Sequence, residues 1–229
     1  MTPLRVSVVV PTLNEEHELP RVLDHLATLP GSWEVVVADG GSRDRTAALA
    51  RQHPLGPRVV VHDGGRAAQC NAGAGATTGG VVLFLHADSR LPPGAHAALQ
   101  DAHRAGAPGG NFALCFDGDD RFARALGAVY RRQRRHGYYY GDSCVWVSRA
   151  AWDALRGFRE LAIMDDYDFV RRLERLGGTR CLPGPARTSA RRWRAIGIPR
   201  TVLSWFVIRW LYLAGVPPAR LHRLYHVVR

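Results

Sequence analysis

Apolar residues fall along the first half of this chain in short solid runs that alternate with helical stripes. Residues 4–10 form a β-branched run closed by Pro11, the pattern of a strand buried in a parallel sheet. Asn14 can cap a helix, Glu15, Glu16 and Glu18 suit its first turn, and Leu19, Val22, Leu23 and Leu26 recur at helical spacing. The unit repeats. Strands are expected at 33–38, 58–62 and 81–85, and helices at 46–52, 67–76 and 94–105. Such alternation predicts an α/β fold with a mainly parallel sheet and right-handed crossovers, whose ligands gather at the carboxyl ends of the strands. The polar clusters Thr12 to Glu15, Asp39 to Ser42 and His86 to Ser89 all sit at such ends.

After Gly109 the rhythm changes to mixed strands and helices. A strand is expected at 111–116, a basic helix at 121–135, a strand at 138–147, a short helix at 150–155 and an amphipathic helix at 165–176. Val202, Trp205, Phe206, Arg209, Trp210, Tyr212 and Leu213 mark an aromatic-rich helix beside Arg200, Arg220 and Arg223. Membrane-interface contact, packing on the main domain and a homodimer contact all fit that helix.

Composition narrows the function classes. At 229 residues and 46% hydrophobic content the chain can bury one substantial core. The net charge of +11 comes from arginine alone, for the sequence contains no lysine, and its arginines are spread out apart from Arg131, Arg132, Arg134 and Arg135. This argues against a dedicated nucleic-acid role and for a mild attraction to phosphates and anionic membranes. Cys70, Cys115, Cys144 and Cys181 lack metal-ligand spacing and read as reduced, buried thiols of a cytoplasmic protein. The opening residues are too short for a signal peptide, and the apolar stretch 201–216 falls short of the roughly 20 residues that span a bilayer. The expected location is cytoplasmic, free or peripheral to the inner face of the cell membrane.

Four segments in order resemble the family-2 glycosyltransferases of GT-A fold: residues 8–15, 35–44, 65–73 and 83–88. Met164, Asp165 and Asp166, with Ser189 to Trp193, are similar to a bacterial branch associated with radical-SAM and selenium-domain gene clusters. The resemblance implies a domain over residues 1–195, with a donor half at about 1–108 and an acceptor half at about 109–195. A C-terminal appendage of amphipathic helices would occupy 196–229.

It also implies an inverting, non-processive transfer of a sugar from a nucleotide-diphosphate donor, UDP favoured, to an unidentified hydroxyl on a small or lipid-linked acceptor. Pro11, Thr12, Asn14, Glu15, Asp39, Ser42, Arg66, Asn71, Ala87 and Asp88 would bind the nucleotide, Asp39 holding the base and Arg66 the diphosphate region. Asp88 would hold Mg²⁺ or Mn²⁺, which stabilises the leaving diphosphate. The first acid usual in that metal motif is His86 here. Asp166 would be the general base, paired with Asp165, which stands where a glutamate is usual. Gly141, Asp142 and Trp193 would face the acceptor, with Ser143 where a glutamine is usual, and Tyr138 and Tyr140 would line the groove.

Each position has a plainer structural reading. Asp39 can cap its own turn, Arg66 can be a solvated surface residue and Asn71 can tie loops together. Asp88 can cap a loop, and Trp193 can be a core residue. Asp165, Asp166 and Asp168 can be N-terminal helix acids paired with Arg171 and Arg172. Processive polymerases of this superfamily carry Gln where Ser189 stands, which argues against a polymerase. The remaining alternatives are a nucleotidyltransferase, for which no Gly-rich loop is supplied, and a catalytically degenerate nucleotide-binding protein at the membrane surface.

Overall fold

β1 (Val6–Thr12) lies between β2 (Trp33–Asp39) and β4 (Val81–Phe84), and β2 lies beside β3 (Arg58–Val61), all four strands parallel. The protein is described by a computed structural model covering residues 4–118 and 120–224. The solid valine runs of β1, β2 and β4 arise because both faces of these strands are covered, whereas β3 is an edge strand with Val61 54% exposed. Val6, Val8 and Val10 join one apolar cluster with α1 (Leu19–Thr28) and α4 (Ala95–Arg104), while Val9 joins another on the opposite face. Full burial of each such side chain stabilises the fold by about 1.5–3 kcal/mol relative to exposure.

α2 (Thr46–Gln52) and α3 (Arg66–Gly75) complete the first half. α3 needs small residues because it lies close on the sheet: a Cβ on Gly73 would stand 2.4 Å from Val9 Cγ1.

The second half extends the sheet with β5 (Ser89–Arg90), β6 (Gly109–Phe116), β7 (Trp146–Ser148) and β8 (Arg180–Thr188), giving the order β3-β2-β1-β4-β7-β6-β8-β5. β7 runs antiparallel to both β4 and β6, so the sheet is mixed. α5 (Arg121–Arg134), α6 (Arg149–Leu155) and α7 (Asp165–Glu174) flank it. A smaller cluster of Leu114, Phe116, Ala123, Leu126, Ala190 and Trp193 ties α5 and β6 to α8 (Arg191–Ile196). α9 (Ile198–Leu213) and α10 (Pro218–His222) follow, and residues 225–229 of the expected appendage lie outside the described residues.

Three expectations are corrected. Residues 138–147 do not form a strand: a single 3-10 turn at Gly141–Ser143 and a left-handed Cys144 (φ 53°) break it, leaving only β7. Asn14 does not cap α1, which starts at Leu19; Asn14 itself is left-handed (φ 55°). Among the free cysteines only Cys70 and Cys144 are buried, Cys181 being exposed. No helix among the described residues is long and apolar enough to cross a membrane.

Candidate active site

The carboxyl ends of β1, β2 and β3 enclose a cavity of about 410 Å³ lined by Leu13, Asn14, Gly40, Gly41, Arg43 and Asp63. Its walls are built by loop-to-loop hydrogen bonds. The Asp39 carboxylate accepts from the amides of Gly41 (3.1 Å) and Ser42 (2.9 Å) and from the hydroxyls of Ser42 (2.5 Å) and Thr12 (3.4 Å). Asp39 is only 2% exposed, so this carboxylate folds its own loop rather than reaching into the cavity. These contacts are those of the capping reading of Asp39.

The amide of Asn14 donates to Ser42 Oγ (2.9 Å), and Asn14 Oδ1 accepts from the Arg43 amide (2.9 Å). The carbonyl of Thr12 accepts from the Gly40 amide and from Gln69 Nε2, both at 2.8 Å. A Cβ at position 40 would fall 2.1 Å from Gln69 Nε2 and would displace that side chain from the Thr12 carbonyl. Pro11 and Thr12 belong to β1 and brace the cavity from behind.

Beside this cavity, Arg66 opens α3 and gathers the acids expected to do the chemistry. Its Nη2 donates to Asp165 Oδ1 at 2.8 Å and lies 3.4 Å from Asp166 Oδ1. Its Nη1 lies 3.3 Å from His86 Nε2, and since a guanidinium can only donate, that ring nitrogen accepts and the imidazole is neutral. Burial, reinforced by the charges of Arg66 and Arg191, pushes His86 down to about 4. The surface-arginine reading of Arg66 fails on these contacts.

Asp165 and Asp166 divide into unlike roles. Burial raises the Asp165 carboxyl, and its Oδ2 is buried without a partner. Burial acts the same way on Asp166, but Arg66 and the amides of Gly141 and Tyr167 (both 2.8 Å) outweigh it and hold this carboxyl below its usual range. Asp166 is also the more open, its side chain 19% exposed against 7% for Asp165. Asp168 pairs with Arg172 at 2.8 Å and with Arg159 at 3.1 Å, as a structural helix acid does.

A second arginine closes the other side. Arg191, at the start of α8, holds Glu15 through both terminal nitrogens (2.7 and 3.0 Å), and its Nε lies 3.1 Å from Asp88 Oδ2. In the sequence Arg191 stands out only as part of the Ser189 to Trp193 segment. Its partner Glu15 is 176 residues away, and no local pattern announces such a pairing.

Burial raises the Asp88 carboxyl and Arg191 opposes the rise. Among the described residues no three His, Cys, Asp or Glu side chains converge as a metal cage. The residues fit a divalent cation in one mode: Asp88 as its carboxylate, with phosphate oxygens and water completing the shell, which is common for Mg²⁺.

Gly141 stands where Arg66, Asp166 and His86 meet, at 2.6, 3.2 and 3.2 Å from a Cβ placed on it. Asp142 is half-buried, its Oδ2 accepting from the Tyr130 hydroxyl (3.0 Å) while its buried Oδ1 has no partner. Burial, reinforced by the charges of Asp166 and Asp88 and opposed by the Tyr130 hydrogen bond, pushes the Asp142 carboxyl up to about 7.

Tyr138 and Tyr140 each stack on Tyr167, while Tyr139 is buried in the opposite direction. Arg209 of α9 lies over the Tyr138 ring and its Nη1 donates to the Tyr140 hydroxyl at 3.2 Å.

Three expected site residues have side chains engaged with the protein itself. Trp193 is 5% exposed and packs against the rings of Phe116 and Phe122, the contacts of its core reading. Asn71 exchanges two 2.9 Å hydrogen bonds with the backbone of Phe158, which makes it a tie between α3 and the loop after α6. Ala87 is buried in the core, leaving only its backbone for a ligand.

The family model described as Glycosyl transferase family 2 matches residues 7–165. A PGL/p-HBAD biosynthesis glycosyltransferase of Mycobacterium bovis is 40% identical over 91 residues, 37% of this chain and 36% of that protein. A 4,4'-diaponeurosporenoate glycosyltransferase of Staphylococcus haemolyticus is 35% identical over 94 residues, 38% of this chain and 24% of that protein. The match thus spans about a third or less of these curated relatives. Among solved structures, the mannosyltransferase PcManGT from Pyrobaculum calidifontis, in complex with GDP-Man and Mn²⁺, superposes with a TM-score of 0.69 at 22% identity, covering 93% of this chain and 65% of that one. S. aureus TarS 1-349 with UDP-GlcNAc gives a TM-score of 0.61 at 19% identity, covering 82% and 59%. At these identities the superpositions establish the shared GT-A fold.

Proposed function

Since the chain belongs to glycosyl transferase family 2 and carries the GT-A fold, we propose that it transfers a sugar from a nucleotide-diphosphate donor to an acceptor hydroxyl by a single inverting displacement. The observation that carries this reading is Asp166: an ionised carboxylate, braced by two amides and Arg66, that remains the more open member of a buried acid pair. The Met164 to Asp166 and Ser189 to Trp193 segments favour the bacterial branch described above.

The nucleoside would occupy the cavity at the ends of β1 to β3, with Gly40 and Gly41 as its wall and Asp39 holding that wall in shape. Asp63, on the cavity lining, is placed to accept an N–H of the base. UDP remains the favoured nucleotide from the sequence resemblance. The diphosphate would lie between Arg66 and Arg191, where two guanidiniums offset its charge. Asp88 would be the protein ligand of a Mg²⁺ or Mn²⁺ ion, which as a Lewis acid stabilises charge on the leaving diphosphate.

In the transfer, the acceptor oxygen bonds to the anomeric carbon as the bond from that carbon to the phosphate oxygen breaks. Asp166 takes the acceptor proton. Its low basicity suits a step in which the proton leaves as the new bond forms. Residues 1–108 would hold the donor and 109–195 the acceptor, with Asp142 offering Oδ1 to a hydroxyl in the groove.

The test is release of nucleoside diphosphate from a panel of UDP-, GDP- and TDP-sugars supplied with water-soluble and lipid extracts as acceptors. Acceptor-dependent release that Asp166→Asn abolishes, at unchanged nucleotide affinity, supports the reading. Equal release by the variant removes Asp166 from the mechanism. Binding without release by the wild type, whatever the extract, favours the catalytically degenerate alternative.

A further inference from the structure

α9 buries one apolar face and exposes another. On the inner side Thr201 and Ile208 are buried, Trp205 packs against the cluster containing Phe116 and Trp193, and Tyr212 meets the edge of Tyr167. On the outer side Val202, Leu203, Phe206, Val207, Trp210 and Leu213 are all exposed, with Leu203, Phe206 and Trp210 at 62%, 60% and 58%. At the helical turn of about 100° per residue these six fall within one arc of about 140°. A water-facing arc of a surface helix carries polar side chains, so a helix that is apolar all round normally meets a second apolar medium.

Charge decides which medium. No Asp or Glu follows Glu174 in the sequence, while arginine recurs to its end. Exposed Arg200 stands near the start of α9, and exposed Arg220 and Arg223 come after it. A second copy of this chain seated on α9 in a two-fold contact would bring these unopposed cations together. An anionic lipid surface complements both the exposed aromatic side chains and the arginines, as it does for helices that lie in the interface plane.

We propose that α9 docks on an anionic membrane and thereby presents the acceptor groove to a membrane-anchored acceptor. The route from helix to base is continuous. Arg209 of α9 donates to Tyr140, the next residue is Gly141, and the Gly141 amide donates to Asp166. The acceptor class in this statement rests on the glycosyltransferase reading above; the docking itself does not.

The experiment is co-sedimentation of the full chain with vesicles of phosphatidylcholine, alone or with about one third phosphatidylglycerol, alongside UDP and GDP titrations of the same preparations. The wild type is expected to sediment with the anionic vesicles and to release as salt is raised. The variant L203S/F206S/W210S is expected to lose about tenfold or more of that partition while keeping the wild-type nucleotide affinity, which shows that it is folded. The variant R200S/R220S/R223S keeps the apolar face and should lose only the preference for anionic vesicles.

Equal sedimentation by the wild type and the first variant would overturn the proposal. A lipid-free wild-type dimer that the first variant converts to a monomer would overturn it in favour of a second copy. If neither nucleotide binds but the vesicle results hold, the donor-site reading fails and the docking stands.

Discussion

The amide of Gly141 donates to Oδ2 of Asp166 at 2.8 Å, so the acceptor loop and the proposed base are one mechanical unit. A Cβ at position 141 would crowd Arg66 Nη1 at 2.6 Å and Asp166 Oδ2 at 3.2 Å.

Gly141→Ala should therefore act on turnover more than on donor binding. Its methyl group would press on Arg66, Asp166 and His86 together. Acceptor-dependent kcat is expected to fall about tenfold or more, since small displacements of reacting groups cost orders of magnitude in rate. Steady-state kinetics with a parallel nucleotide titration separates the two effects; an unchanged kcat would detach the loop from the base.

Arg191 bridges Glu15 and Asp88 at the edge of the proposed diphosphate site. Arg191→Ala is expected to weaken nucleoside diphosphate binding about tenfold or more, because a hydrogen bond to a charged group contributes about 1.5–3 kcal/mol. Affinity for the bare nucleoside should not change. Arg191→Lys should recover only part of the loss, as its ammonium lacks the two-pronged donor geometry. Calorimetric titration of UDP and uridine checks this, and equal weakening of both would place Arg191 in the base pocket instead.

Asp142 gives a pH signature. Its carboxyl is pushed up to about 7, so the folded state holds a proton that the unfolded chain gives up near pH 4. The stabilisation is complete below about pH 4 and is lost as pH rises through 7, at about 1.4 kcal/mol per unit within that window. Asp142→Asn should flatten the dependence. The fall in Tm between pH 5 and pH 8 is expected to be smaller in the variant; an identical fall would mean that Asp142 is ionised throughout.

Metal dependence should run through Asp88 alone. Asp88→Ala is expected to bind nucleotide equally with Mn²⁺ and with EDTA, whereas the wild type should bind more tightly with Mn²⁺. An undiminished Mn²⁺ effect in the variant would move the cation to other ligands.

Strands buried on both faces print themselves as solid valine runs, which is why β1, β2 and β4 were legible in the sequence; the edge strand β3 was legible through its β-branched valines. β8 was not, because Pro183, Gly184 and Pro185 interrupt it and its burial is sparse. The 138–147 segment reads as strand through its tyrosines and valines, yet Gly141 and the left-handed Cys144 turn it into the wall of the site.

Among site residues, the acid pair and Arg66 were legible as motif positions, but their mutual contact spans 99 residues and only the fold reveals it. Asp39 and Asn71 were expected at the ligand from the family resemblance. Their hydrogen bonds instead go to the protein, a destination that residue type does not specify.

The nucleotide-diphosphate site proposed between the β1–β3 cavity and the arginines Arg66 and Arg191 is tested by calorimetric binding of UDP, GDP, TDP and CDP to the folded wild-type chain, with Mn²⁺ and with EDTA, repeated on Arg191→Ala. At least one of them, UDP first, is expected to bind in the micromolar range, more tightly with Mn²⁺ and more weakly in the variant. Absence of binding by all four would contradict the proposed site.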